Sequence, residues 1–456
     1  MERTGTNYLK QWLLSKNRNP LVIRGARQVG KTWLVRHFAK LCGRQLIELN
    51  FEKQPSYLSL FTSNDPNIIL LQVGALFGKK IDPEKYLLFL DEIQAVPQLF
   101  SKLRWFAEDL PSLPVIAAGS LLEFVLQEHT FSMPVGRISY MYLEPLSFEE
   151  FLLAQDQYVL YEYLCKYDFS FEVPSAIHEQ LMALFKEYLF IGGLPAVVAN
   201  WASEHSLDLI NQIQQDLLAT YRNDFAKYSG RIAVTQLEEL FVYIPKMLGQ
   251  KFVFSRVNKQ VQSSVMKKML ALLEKARVSH RVYGSAANGV PLAAEIKEKY
   301  FKEIFLDVGL CSGALGLNLN KINTINQFTI INNGGIAEQV VGQLLRTINP
   351  FYVEPILYCW NRETPGSSAE IDYIIQYGNT VIPIEVKAGS TGSLKSLHLF
   401  MKLKNFGVAI RINSDVPTKT NVEINFHSEG SIKYQLLSIP FYFIGRIYQL
   451  LDFAAN

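Results

Sequence analysis

Residues 21–24 (LVIR) form a short β-branched apolar run after Asn19-Pro20, which predicts a strand. The stretch beyond it from Trp33 to Phe38 reads as helical. Residues 86–90 (YLLFL) are apolar throughout, the pattern of a parallel strand buried on both faces, and residues 114–118 predict a third strand. From 147 to 228 the texture changes, with Leu and Phe recurring every three or four residues, as in 181–188, and few β-branched runs. Gly192-Gly193-Leu194-Pro195 marks a sharp turn within it. A helix is then predicted over 235–248, a short one from Phe254-Ser255, another over 262–276, and a strand over 278–283. In the last third, Gly334-Gly335 precedes a helix over 336–348. Strands follow at 355–360, 369–377 and 381–387, then a helix at about 393–404 and a strand at 408–412. No internal repeat or low-complexity linker interrupts this series.

At 456 residues the chain exceeds one ordinary core, and a hydrophobic fraction of 49% excludes a mostly disordered chain. Lys plus Arg is 45 against 42 for Asp plus Glu, so the net charge of +3 does not point to an unspecific polyanion binder. The four cysteines (Cys42, Cys165, Cys311, Cys359) contain no CxxC pair, which excludes a disulfide framework or a zinc ribbon. No histidine falls in HxxxH or HExxH spacing. The first residues lack a secretory pattern, and the most apolar stretch, 439–453, is broken by Pro440, Gly445, Arg446 and Asp452. The expectation is a cytoplasmic multidomain protein with no membrane partner.

The predicted strand 21–24 leads into Gly25-Ala26-Arg27-Gln28-Val29-Gly30-Lys31-Thr32 and then a helix, the G-x-x-x-x-G-K-T pattern in its strand–loop–helix setting. Its glycines let the backbone N–H groups turn inward on a phosphate, and the helix start adds partial positive charge. Lys31 would reach the β- and γ-phosphates of ATP and Thr32 would complete a Mg²⁺ shell. The apolar run 86–90 ends in Asp91-Glu92. Asp91 is placed to hold Mg²⁺ through water, and Glu92 to orient or deprotonate an attacking water. Ser120, after the strand 114–118, is either a γ-phosphate sensor or a helix N-cap with Glu123 completing a capping box.

In order, GARQVGKTWLV, LLFLDEIQ, AAGSLL and GRISYMYLEPLSFEEFL resemble the AAA-superfamily ATPases of bacteria and archaea that carry a C-terminal domain of unknown function. The resemblance continues through Tyr188 to Pro195 and into the C-terminal segments. It implies an ATPase core followed by a helical region and a winged helix, and a nucleotide-contacting role for Arg137, within the chain or across a subunit boundary of a homo-oligomer. An ordinary loop arginine is the alternative. The helices and strand of 235–283 fit a winged helix with Lys267, Lys268 and Lys275 toward solvent, a DNA reader or an interdomain packing module.

The C-terminal order αβββαβ is that of the restriction-endonuclease-like fold. Gly378-Asn379 is a two-residue hairpin turn, so paired residue numbers sum to 757 and Asp372 faces Glu385. Alternation then puts Glu370, Asp372, Glu385 and Lys387 on one face. Opposed carboxylates destabilise a sheet, and a divalent cation between them would remove that penalty. This resembles the PD-(D/E)xK nucleases, implying Asp372 and Glu385 as Mg²⁺ ligands, Glu338 as a further ligand and Lys387 as the group orienting the water. Ile371, not Pro, precedes Asp372. Salt bridges on an exposed hairpin face are the alternative.

The expected architecture is α/β. A P-loop NTPase parallel-sheet domain (1–146) precedes a helical subdomain (147–230), a winged-helix-like segment (231–290) and a nuclease-like α/β domain (291–456). The expected function is ATP binding and hydrolysis with Mg²⁺, coupled to cleavage of nucleic acid. The competing reading is a nucleotide-gated DNA- or protein-binding regulator with an inactive C-terminal domain.

Overall fold

The computed structural model describes residues 2–120, 122, 134–228, 234–317, 333–364, 367–388, 393–426 and 430–454. Glu123, and with it the capping box proposed for Ser120, lies outside them. Two compact units are present. The first comprises Met1–Glu144, Lys275–Arg277 and Pro350–Glu354, and the second the remainder. The four cysteines are unpaired, and among the described residues no helix is long and apolar enough to cross a membrane.

The first unit is built on β1 (Leu21–Arg24), β2 (Gln45–Asn50), β3 (Tyr86–Asp91), β4 (Val115–Ala118) and β5 (Ser139–Tyr142). They form one parallel sheet in the order β2-β3-β4-β1-β5. All six residues of β3 and all four of β4 are buried, as an apolar run in a doubly covered sheet requires. Leu49, Leu88, Leu90, Phe100, Leu103 and Phe106 share the core between the sheet and the helix Leu99–Asp109. Strands β2 and β5 escaped the sequence reading. Both are edge strands, and their polar positions break the continuous apolar signature.

The second unit opens with the expected helices, Phe148–Ala154, Tyr158–Lys166, Ser175–Ile191, Pro195–Glu204 and Leu207–Tyr228. Ser147 and Glu150 close a capping box on the first. The Gly192-Gly193 turn is pinned from both sides. A Cβ on Gly193 would lie 2.3 Å from the Leu146 carbonyl oxygen, and one on Gly192 2.1 Å from Asp307 Oδ1. The helix expected over 235–248 ends at Tyr243, because Pro245 breaks the backbone ladder and turns Ile244–Met247 into a 3₁₀ segment.

Eight strands then form a mixed sheet. They are β6 (Ser279–Ser285), β7 (Ile296–Phe305), β8 (Leu357–Thr364), β9 (Ser367–Tyr377), β10 (Thr380–Val386), β11 (Val408–Asn413), β12 (Thr418–Phe426) and β13 (Gly430–Pro440). Their order is β12-β13-β11-β10-β9-β8-β6-β7. The αβββαβ series occurs within it, as the helix Asn333–Leu345, β8, β9, β10, the helix Lys395–Lys404 and β11. The hairpin register is as expected, with Thr380 opposite Tyr377 and Ile384 opposite Tyr373. The segment read as a wing differs. It is β6, an interior strand antiparallel to β7 and parallel to β8, because Val282 and its neighbours find their burial in this larger sheet.

Candidate functional site

The phosphate loop runs from the end of β1 into the helix Lys31–Leu41. Gly30 caps that helix with φ 90°, a left-handed conformation that glycine adopts without strain. A Cβ on Gly25 would lie 2.4 Å from the Leu143 carbonyl oxygen, so this position also needs glycine. Lys31 is buried, and its Nζ donates to the carbonyl oxygens of Gly25 (3.0 Å) and Ala26 (2.7 Å). Ala26 and Val29 are buried, Arg27 is half-buried, and Gln28 is exposed with φ 68°. Arg3, which the sequence reading missed, is buried and donates to the carbonyl oxygens of Val29 (3.3 Å) and Glu144 (2.8 Å). It braces the loop from the segment just before the helix Gly5–Leu14.

The Thr32 hydroxyl donates to both oxygens of Asp91, at 3.3 and 3.2 Å. Asn50, at the end of β2, donates its amide to Asp91 Oδ2 at 3.1 Å, a second partner the sequence reading missed. Burial and the neighbouring Glu92 push the Asp91 carboxyl up to about 6, against the hydrogen bond from Asn50. An oxygen donor set of hydroxyl and carboxylate suits Mg²⁺, whose charge would relieve this strain on Asp91. Glu92 has φ 52°, an uncommon conformation for a non-glycine residue, and Gln94 Nε2 donates to its Oε2 at 2.5 Å. Ser120 is buried and its Oγ has no hydrogen-bond partner among the described residues, an orphaned donor at the end of β4. Lys31, Thr32, Asp91 and Glu92 thus come from the ends of adjacent elements. Arg137 is engaged elsewhere, its Nε donating to Glu108 Oε1 at 2.7 Å.

The second acidic cluster lies in the mixed sheet, and its centre is Lys302 on β7, which the sequence reading missed. Lys302 Nζ lies 2.8 Å from Glu338 Oε2 and 3.6 Å from Asp372 Oδ1, and touches Glu370. Its side chain is 3% exposed. Burial alone opposes the charge on Lys302, but Glu338, Asp372 and Glu370 outweigh it and hold its pKa well above the ordinary value. Burial, with Asp372 and Glu370 adding to it, pushes Glu338 up to about 7 against the pull of Lys302. Burial and Asp372 likewise push Glu385 up to about 7.

Asp372 Oδ2 accepts from the Val386 N–H at 2.8 Å, and Lys387 Nζ donates to Glu385 Oε1 at 2.6 Å. Of the expected residues, Glu338 and Asp372 meet at the Lys302 ammonium, while Glu385 pairs with Lys387. Among the described residues no group of three or more His, Cys, Asp or Glu side chains is arranged to hold a metal ion. Lys302 supplies part of the countercharge to these carboxylates.

Three family models match separate stretches of the chain. An AAA domain matches residues 17–152, a domain of unknown function (DUF8612) matches 182–321, and another (DUF4143) matches 333–427. No curated protein matches. Among solved structures, the Pif1 helicase from Candida albicans is 16% identical with a TM-score of 0.23, over 40% of this chain and 47% of that one. The chain thus spans about half the length of that helicase. The Aeropyrum pernix Orc1 protein in complex with DNA is 12% identical with a TM-score of 0.23, over 70% of this chain and 92% of that one. The phosphate loop, the Thr32–Asp91 pair and the parallel sheet all lie inside the stretch 17–152 that matches an AAA domain, so this part of the chain is an AAA-type P-loop domain.

Proposed function

We propose that this protein hydrolyses ATP at the phosphate loop with Mg²⁺, and that its C-terminal domain is a nuclease-like module that binds without cutting. The observation supporting the first half is the meeting of Lys31, Thr32 and Asp91 at the N-terminus of the helix Lys31–Leu41. Loop N–H groups and the helix start attract the phosphates. Lys31 exchanges its two loop carbonyls for the β- and γ-phosphate oxygens and stabilises the charge that develops on transfer. Thr32 and Asp91 would hold Mg²⁺, which when bound would supply further neutralisation of that charge. Glu92, oriented by Gln94, positions the attacking water and receives its proton. Ser120 Oγ is the donor available to the γ-phosphate.

The second half is supported by Lys302. A site in which a buried ammonium already offsets part of the charge of Glu338, Glu370 and Asp372 has less need of a divalent ion. Two assays test the reading. ATP turnover should be lost in Lys31→Ala and in Glu92→Gln, with Glu92→Gln still binding ATP; full turnover in Lys31→Ala refutes the first half. Single- and double-stranded DNA and RNA should survive incubation with Mg²⁺ or Mn²⁺, with or without ATP. Cleavage that disappears in Asp372→Ala refutes the second half and restores the nuclease.

A further inference from the structure

On the outer side of the helix Leu99–Asp109 lies a pocket of about 570 Å³ that the ATPase reading does not use. Ser101, Arg104, Trp105 and Glu108 line it from one stripe of that helix, opposite the buried stripe of Phe100, Leu103 and Phe106. Asn64, Pro134, Val135 and Arg137 complete the wall. Arg104 Nε and Arg137 Nε donate to the same oxygen, Glu108 Oε1, at 3.0 and 2.7 Å. These two guanidiniums hold the Glu108 carboxyl below the usual carboxylate range, so it stays ionised and fixes both.

The Nη groups of Arg104 and Arg137 hydrogen-bond to no described residue. Two preset forks therefore face the pocket with one carboxylate between them, a net positive site. The neighbouring Lys102 holds Asn64 in place, its Nζ donating to Asn64 Oδ1 (2.6 Å) and to the Thr62 and Ser63 carbonyls. Trp105 is half-buried, and the Arg104 guanidinium lies over its ring, 5.1 Å from the centroid, so guanidinium and indole together form the platform against which a base would stack.

We propose that this pocket binds one unpaired nucleotide of a single-stranded nucleic acid, its base stacked on Trp105 and its phosphate held by Arg104 and Arg137. Paired guanidinium forks suit the tetrahedral oxygens of a phosphodiester, and an indole offers every base a stacking face. The pocket is concave and of the size that holds a small ligand. A base must leave its pairing partner to enter, which selects single strands over duplexes. Arg137 then serves the strand rather than a nucleotide of a neighbouring subunit.

Binding is measured by fluorescence anisotropy on the full chain without ATP, so failure here is separate from failure of the ATPase reading. The probes are labelled oligo(dT) and oligo(U) about a dozen nucleotides long, within the span such sites cover, beside a duplex of equal length. Trp105→Ala and the double variant Arg104→Ala/Arg137→Ala should each weaken single-strand binding at least about fivefold, and Trp105→Phe should retain most of it. Duplex binding should not respond to Trp105→Ala. Arg104 and Trp105 lie on the surface side of the helix and Arg137 in an exposed bend, and thermal unfolding matching wild type confirms that the variants fold. No single-strand binding, equal binding by Trp105→Ala, or an Arg137→Ala variant that loses only ATP turnover would overturn the proposal.

Discussion

Replacing Lys302 by Met keeps the length of the side chain and removes the ammonium that Glu338, Glu370 and Asp372 share. Since the side chain is 3% exposed, water cannot take its place. Removing one partner of a buried ion pair costs about 3–5 kcal/mol, most of it the penalty of the stranded charges. The near-equal volume of Met keeps the packing cost under about 1.5 kcal/mol. The loss must depend on pH. Glu338 and Glu385 have pKa values of about 7 in the folded chain, above the unfolded value of about 4.3. The folded state therefore binds more protons than the unfolded state between those limits, and stability from these groups falls as pH rises through that window.

Without Lys302 the carboxyls become still harder to ionise, so the fall becomes steeper and extends to higher pH. Urea unfolding of the full chain, following the transition of the second unit, should show Lys302→Met destabilised by about 3–5 kcal/mol at pH 8. At pH 5 the carboxyls take up protons, and the loss should shrink toward the packing cost of under about 1.5 kcal/mol. A variant as stable as wild type at pH 8, or one destabilised equally at both pH values, would refute the assignment of Lys302 as the countercharge.

Because Asp91 titrates at about 6, the Mg²⁺ concentration needed for half-maximal ATP turnover should be flat above pH 7 and rise about tenfold per unit well below pH 6. A flat profile down to pH 5 would exclude Asp91 as the Mg²⁺-side carboxylate. Arg3→Ala should raise the KM for ATP several-fold with little change in thermal stability of the second unit, because its guanidinium supports the Val29 carbonyl; an unchanged KM removes that role. Asp307→Ala strands the N–H groups of Gly193 and Leu310 and the amide of Gln343, and should cost about 2–4 kcal/mol in urea unfolding. Gly193→Ala, whose Cβ meets the Leu146 backbone, should destabilise the same unit, and wild-type stability in both variants would refute the pinned-turn account.

The phosphate loop was legible in the sequence because its chemistry uses consecutive residues. Gly25 to Thr32 must turn tightly and present N–H groups, and only a local pattern does that. Asp91-Glu92 was legible because a fully buried strand announces itself as an uninterrupted apolar run, and its end is the sheet's C-terminal edge. The partners of these groups were not legible. Arg3, Asn50 and Gln94 are ordinary polar residues whose importance comes from where other elements place them.

The second cluster divides in the same way. A two-residue turn sets the register of β9 on β10, and strand alternation then groups Glu370, Asp372, Glu385 and Lys387, so both follow from sequence alone. Lys302 does not. Strands β8 and β6 stand between β9 and β7 in the sheet, and a flat sheet would hold β7 about 14 Å from β9. Lys302 Nζ nonetheless comes within 3.6 Å of Asp372 Oδ1. Local spacing thus determined which carboxylates share a face, while the tertiary path of a distant strand decided what balances them. The physical reason is that backbone geometry relates near neighbours by fixed periods, whereas the countercharge for a buried cluster can come from any strand the fold carries past it.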